Sequence, residues 1–213
     1  MTLERPMRRA AWAGGALMLA AASAPFLRQW YLTWGATPEE TRRLLPGDDL
    51  LPQADMVSTR AITIDVPPGH VWPWLVQMGS GRGGAYTYDW IENLFGLGMH
   101  SADRILPEFQ RLDVGDVLPM GNGGPGMRVE ICEPGHALVL RSEDGQWVWS
   151  FSLTVQDRGT RLISRNRITE TGASLGRRIA DRLIMEPGSL VMERKMLRGI
   201  RSRAQSTPAL VPV

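Results

Sequence analysis

At 213 residues with 43% hydrophobic content, the chain can bury one sizeable core and reads as one folded domain. Its single Cys132 excludes an internal disulfide and a cysteine-built zinc site. The net charge of +2 divides into +3 over residues 1–36, −6 over 37–170 and +5 over 171–213. The pI of about 9.1 therefore reflects a basic C-terminal stretch and gives no nucleic-acid signal.

Residues 10–27 carry no charge and follow Arg5, Arg8 and Arg9, the pattern of a signal peptide or signal anchor. The run has 18 residues, at the short end for spanning a bilayer. Pro25 disfavours cleavage after Ala24, and Trp30, Tyr31 and Trp34 follow as an interfacial aromatic group, so an uncleaved anchor over 1–34 is the expectation. Three arginines before the run against Arg28 after it place the N-terminus in the cytoplasm and the domain outside.

Thr37-Pro38-Glu39-Glu40 is a helix start with a capping box, and residues 35–55 read as a short helix plus polar linker. Met56–Val66 alternates as a first strand, ended by Pro67-Pro68-Gly69. A short helix follows, broken near Pro73, with Val71, Trp74, Leu75 and Met78 inward. A second runs from Asp89 to Leu97, capped by Asp89 with Glu92 at the third turn position. Between them, Gly79 to Gly84 is glycine-rich and reads as a hinged lid, with Arg82 placed to meet an anionic head group. It lacks the G-K-[ST] ending of a phosphate loop.

Strands are expected near 108–112, 117–120, 127–133, 137–142, 147–156 and 160–169. The cleanest alternation puts Trp147, Trp149, Phe151, Leu153 and Val155 on one face. Helices are expected over 174–184 and 189–204, interrupted at Glu186-Pro187-Gly188. Leu190, Met192, Met196, Leu197 and Ile200 form the apolar stripe, with Arg194, Lys195, Arg198, Arg201 and Arg203 toward solvent. A domain over 56–205 and a disordered tail over 206–213 complete the division.

This order of elements resembles the helix-grip fold of the START-like, or SRPBCC, superfamily. Closer likeness to a bacterial subgroup without an assigned reaction lies in T-R-A-I-T-I-D-V-P-P-G-H-V-W-P-W-L-V-Q-M-G-S-G-R-G-G-A-Y-T-Y-D-W-I-E-N-L, W-G-A-T-P-E-E, L-P-G-D-D-L-L-P, H-S-A-D-R-I and M-E-R-K-M-L-R-G-I. The resemblance implies an α+β fold with a curved antiparallel sheet of about seven strands around a long C-terminal helix. It also implies an elongated cavity for a lipid- or polyketide-like molecule.

Each candidate residue has a functional and a structural reading. Tyr86, Tyr88 and Trp90 either line the cavity mouth or close the core. His100 and Asp103, with Arg104 beside them, are the candidate acid–base pair or a structural network. Trp74, Trp147, Trp149 and Phe151 are cavity floor or core, and Arg165 with Arg167 either enter the cavity or face solvent on the convex side. A membrane-tethered carrier of a small hydrophobic ligand is the leading expectation. A cyclase- or dehydratase-like enzyme using His100 and Asp103, and a structural or partner-binding domain, are the alternatives. No metal or organic cofactor is implied.

Overall fold

The computed structural model describes residues 25–121, 126–157 and 159–206. Six strands form one fully antiparallel sheet in the order β1-β6-β5-β4-β3-β2: β1 (Met56–Ile64), β2 (Val117–Leu118), β3 (Met127–Glu133), β4 (Ala137–Ser142), β5 (Trp147–Gln156) and β6 (Gly159–Ile168). The expected strand near 108–112 is instead a 3₁₀ turn, Pro107–Phe109. Pro107 has no N–H to give a ladder, which favours the turn.

Helices α1 (residues 25–32) and α2 (Pro38–Arg42) precede the sheet. Helices α3 (Pro68–Val76) and α4 (Asp89–Leu94) lie between β1 and β2. Pro73 does not break α3; the residue four before it is the exposed Gly69, so the carbonyl left without an N–H partner can reach water. The chain ends in α5 (Leu175–Ala180), a π-type turn over Asp181–Met185 and α6 (Glu186–Ser206), one continuous helical run. The expected interruption at Glu186-Pro187-Gly188 does not occur. The wider turn lies just ahead of Pro187, where a proline removes an N–H from the regular ladder.

One sheet face packs on α6 and α3. Its core includes Ile62, Ile64, Val71, Trp74, Leu75, Leu138, Phe151, Leu162, Met196, Leu197 and Ile200. The other face carries Arg161, Ile163, Arg165 and Arg167, and here the solvent-exposed reading is corrected. The segment after α1 crosses this face as a strap, so residues 35–55 are not a free linker. Leu45 packs on Ala61 and Ile163. Arg165 donates to Asp48 at 2.5 Å, to Thr59 Oγ1 at 2.9 Å and to the carbonyls of Glu40, Thr41 and Arg43. Arg161 grips Glu40, and Arg167 reaches Asp48 and the carbonyls of Leu51 and Pro52. A backbone that crosses a sheet face leaves its own carbonyls without ladder partners, and the arginine forks satisfy them.

The expected capping box is present. Glu40 N–H donates to Thr37 Oγ1 and Thr37 N–H to Glu40 Oε2. Burial pushes the Glu40 carboxyl upward, but the Arg161 guanidinium and the Thr37 N–H outweigh it and hold it below its ordinary value. A carboxylate depressed in the fold contributes stability above its unfolded pKa that is lost as pH falls through the folded one. Stability is therefore expected to stay level near neutrality and to decline as pH drops below about 4.3. In Glu40→Gln this acid decline should be shallower in a series of thermal melts against pH; an identical decline would exclude Glu40 as its source.

The expected anchor falls mainly on residues 1–24, outside the described residues, and the expected tail on 207–213 likewise. Among the described residues no helix is long and apolar enough to cross a membrane.

Candidate functional site

The helix-facing side of the sheet holds two aromatic and polar rows. In one, Arg60, Ser164, Phe151 and Leu138 stand side by side; in the next, Ser58, Asn166, Trp149 and Leu140. Period-2 alternation places them there, because β1, β6, β5 and β4 are paired over these residues without a bulge. Along β5, Trp147 stacks on Trp149 at 5.5 Å and 19°, and Trp149 tilts on Phe151 at 4.8 Å. Phe151 is fully buried, whereas Trp147 and Trp149 remain partly open, although they sit on the face that carries the core. Solvent thus reaches the two indoles on the face that α6 packs against.

The indole N–H groups are already taken. Trp147 Nε1 donates to Asn166 Oδ1 and Trp149 Nε1 to Ser164 Oγ, each at 2.9 Å. What the indoles offer a guest is therefore their ring faces. Asn166 is held in turn by its amide, which donates to both Glu193 oxygens at 3.3 Å. Glu193 descends from α6 and pairs with Arg60, which is fully buried and also donates to Ser189 Oγ and the Tyr31 carbonyl. Ser58 Oγ, in the row of Asn166 and Trp149, is buried with no hydrogen-bond partner among the described residues. A buried hydroxyl without a partner costs free energy that a bound acceptor or donor could recover.

Arg60, Asn166 and Glu193 were missed by the sequence reading. A signal existed: Glu193 falls three residues after Leu190 and three before Met196, inside the apolar stripe. Arg60 alternates with the inward Ile62 and Ile64.

The structure gathers Trp147, Trp149 and Phe151 as expected but disperses the other candidates. Trp74 and Tyr86 meet edge to face at 5.8 Å in the core, and Tyr86 donates to the Trp74 carbonyl. Burial pushes the Tyr86 phenol well up, so it stays neutral, and Arg203 lies over its ring. Trp74 Nε1 is buried without a partner among the described residues. Tyr88 is half-buried under Lys195, and Trp90 is 71% exposed.

Arg82, expected to meet an anionic head group, is held by the protein's own backbone. It donates to the carbonyls of Met78, Val76 and Phe109 and stacks on Phe109, closing the end of α3. The glycine segment around it is no hinged lid: Gly79 and Gly84 pair with each other, and a Cβ at Gly84 would stand 2.7 Å from the His100 backbone. That close approach, at φ +70°, is why glycine is needed there.

His100, Asp103 and Arg104 are exposed, and among the described residues no ion pair joins His100 to Asp103. The Arg104 carbonyl accepts from the buried Gln77 amide, a structural role. Asp89 does not cap α4. The cap position is Tyr88, and Asp89 instead accepts from Ser101 N–H and Oγ at 2.7 and 2.5 Å. Burial raises the Glu92 carboxyl and the Cys132 thiol above their ordinary values. A cleft of about 390 Å³ between α1 and α2 is lined by Gln29, Thr33, Ala36, Pro38, Thr41 and Arg42 and includes neither Trp147 nor Trp149. Among the described residues no cluster of His, Cys, Asp and Glu could hold a metal ion.

An antiparallel sheet curved around a C-terminal helix, with two short helices inserted after the first strand, is the helix-grip, START-like fold. No protein-family model and no curated protein matches the sequence. Among solved structures, the chain is similar to protein MLL2253 from Mesorhizobium loti, at 16% identity over 72% of this chain and 100% of that one, with a TM-score of 0.45. It is also similar to the Polyketide_cyc-like protein Cgl2372 from Corynebacterium glutamicum, at 16% identity over 73% and 90%, with a TM-score of 0.36. A third is DynU16 from the dynemicin biosynthetic locus, at 16% identity over 68% and 46%, with a TM-score of 0.39.

Proposed function

We propose that this chain binds a small, largely apolar molecule in the cleft between the sheet and α6, against the ring faces of Trp147 and Trp149, as a carrier tethered to a membrane. The observation that carries the reading is the pair of stacked, partly open indoles on the core-bearing face, their N–H groups already spoken for. Flat aromatic walls with a single free hydroxyl, Ser58 Oγ, suit a ring-bearing or lipid-like guest with one polar group. The tether is the uncharged run of residues 10–27. The arginine bias across it supports a domain outside the cytoplasm.

The test is native mass spectrometry of the full-length, detergent-purified protein, followed by titration with the apolar fluorophore N-phenyl-1-naphthylamine. A co-purifying lipid-like mass is expected, and Trp149→Ala should bind the probe at least about tenfold more weakly, about 1.4 kcal/mol. An empty protein that binds no probe would instead favour a structural or partner-binding domain. Turnover of the co-purified molecule, lost in His100→Ala with binding intact, would favour the enzyme.

A further inference from the structure

We propose that residues 175–185 lie flat on an anionic lipid surface, forming a second membrane contact; the inference rests on the tether proposed above and goes beyond it. From Leu175 to Met185 every residue except Asp181 is exposed, so this part of the helix stands clear of the domain. Its apolar residues are not scattered. Leu175, Ile179 and Leu183 recur at every fourth position on one stripe, Ile184 borders it and Met185 follows round the helix, and all five are between 51% and 75% exposed. An exposed apolar stripe on a helix with no protein element over it signals an interface.

Charge selects the occupant. The same residues carry Arg177, Arg178 and Arg182 against the single Asp181. Arg177 spends its charge on Asp181 at the surface, whereas Arg178 stands 3.8 Å from Glu170, and Arg182 has no ion pair among the described residues. A basic rim beside an apolar stripe fits phosphate head groups above acyl chains, and it would repel a second copy of itself.

Position supplies an independent argument. The residue directly after Met185, Glu186, accepts two hydrogen bonds from Arg28 at 2.9 and 2.8 Å and a third from Tyr31. Arg28 and Tyr31 belong to α1, the helix into which the uncharged run of residues 10–27 leads. The chain's exit from lipid and the C-terminal end of the apolar stripe are thereby clamped together. Phe26, Leu27 and Trp30 on α1 are likewise exposed and extend the apolar surface. A tether of this kind holds residues 175–185 at the bilayer instead of leaving them in water.

The experiment uses the full chain in vesicles of phosphatidylcholine and phosphatidylglycerol, with Cys132→Ser and a single added Leu183→Cys bearing an environment-sensitive fluorophore. Gln156→Cys, at the far end of β5, is the control. Flotation with the vesicles, blue-shifted emission at 183, and quenching there by nitroxide-labelled lipid about threefold or more above the control are expected. A protein that floats while the label at 183 reports water overturns this inference and leaves the tether standing. Flotation with blue-shifted emission that lipid-borne quencher does not touch assigns the stripe to a protein partner, a second copy included, and also overturns it. Failure to float overturns both.

Discussion

Replacing Arg165 by methionine is expected to lower folding stability by about 3 kcal/mol, although the residue lies on the sheet face opposite Trp147 and Trp149. Arg165 is 2% exposed, and its guanidinium holds Asp48, Thr59 and three strap carbonyls at once. Methionine fills much of the same volume, so the loss is not one of packing. It comes from an Asp48 carboxylate left inside the protein and from carbonyls with no donor. Removal of one partner of a buried pair costs ~3–5 kcal/mol, and the low end applies because Asp48 keeps the Leu45 N–H and a longer contact to Arg167. For a domain of this length that is a fall in Tm of roughly 6–12 °C. Asp48→Asn in the same background should restore part of it by removing the stranded charge. A loss below about 1 kcal/mol would mean that the pair behaves like an exposed one.

The sheet was legible because β1, β6, β5 and β4 are paired in unbroken register, so period 2 holds along them, with the one register shift in β3 between Val129 and Ile131. In β5 the order Trp147, Trp149, Phe151, Leu153 against Val148, Ser150, Ser152, Thr154 matches the pairing register residue by residue. The arginines of β6 were equally visible as one face, but not their fate. Their partners, Glu40 and Asp48, lie more than a hundred residues away, in a segment whose proline, glycine and aspartate content reads locally as linker. A strap is defined by what it crosses, and sequence periodicity reports only how an element faces its own neighbours.

The candidate site divided along the same line. Trp147 and Trp149 could be placed because strand geometry places them. Tyr86, Tyr88 and His100 sit in irregular segments and Trp90 on the six-residue α4, where spacing fixes no direction, and each has a different surrounding. Tyr86 is the clearest case: a positive φ of 58° turns it into the core beneath Arg203, which no pattern of residue types foretells.

Arg60→Met is expected to have the largest effect, about 4 kcal/mol, because it strands Glu193 between helix and sheet with only the Asn166 amide as a partner. Glu193→Leu alone should cost less, since Arg60 keeps the Tyr31 carbonyl and Ser189 Oγ. The pair of substitutions together should recover most of the loss, as apolar replacements of a buried ion pair commonly do. Urea denaturation of the four proteins closes the cycle, and additive losses would show that the two groups are not coupled. Ligand affinity is expected to follow a different course. Glu193 holds Asn166, and Asn166 holds the Trp147 indole, so the stable double variant loses the acceptor that fixes the outer wall of the cleft. It should fold well and still bind N-phenyl-1-naphthylamine about three- to tenfold more weakly than the parent, the scale of one neutral hydrogen bond. Full affinity in the refolded pair would make this network a fastening between α6 and the sheet and nothing more.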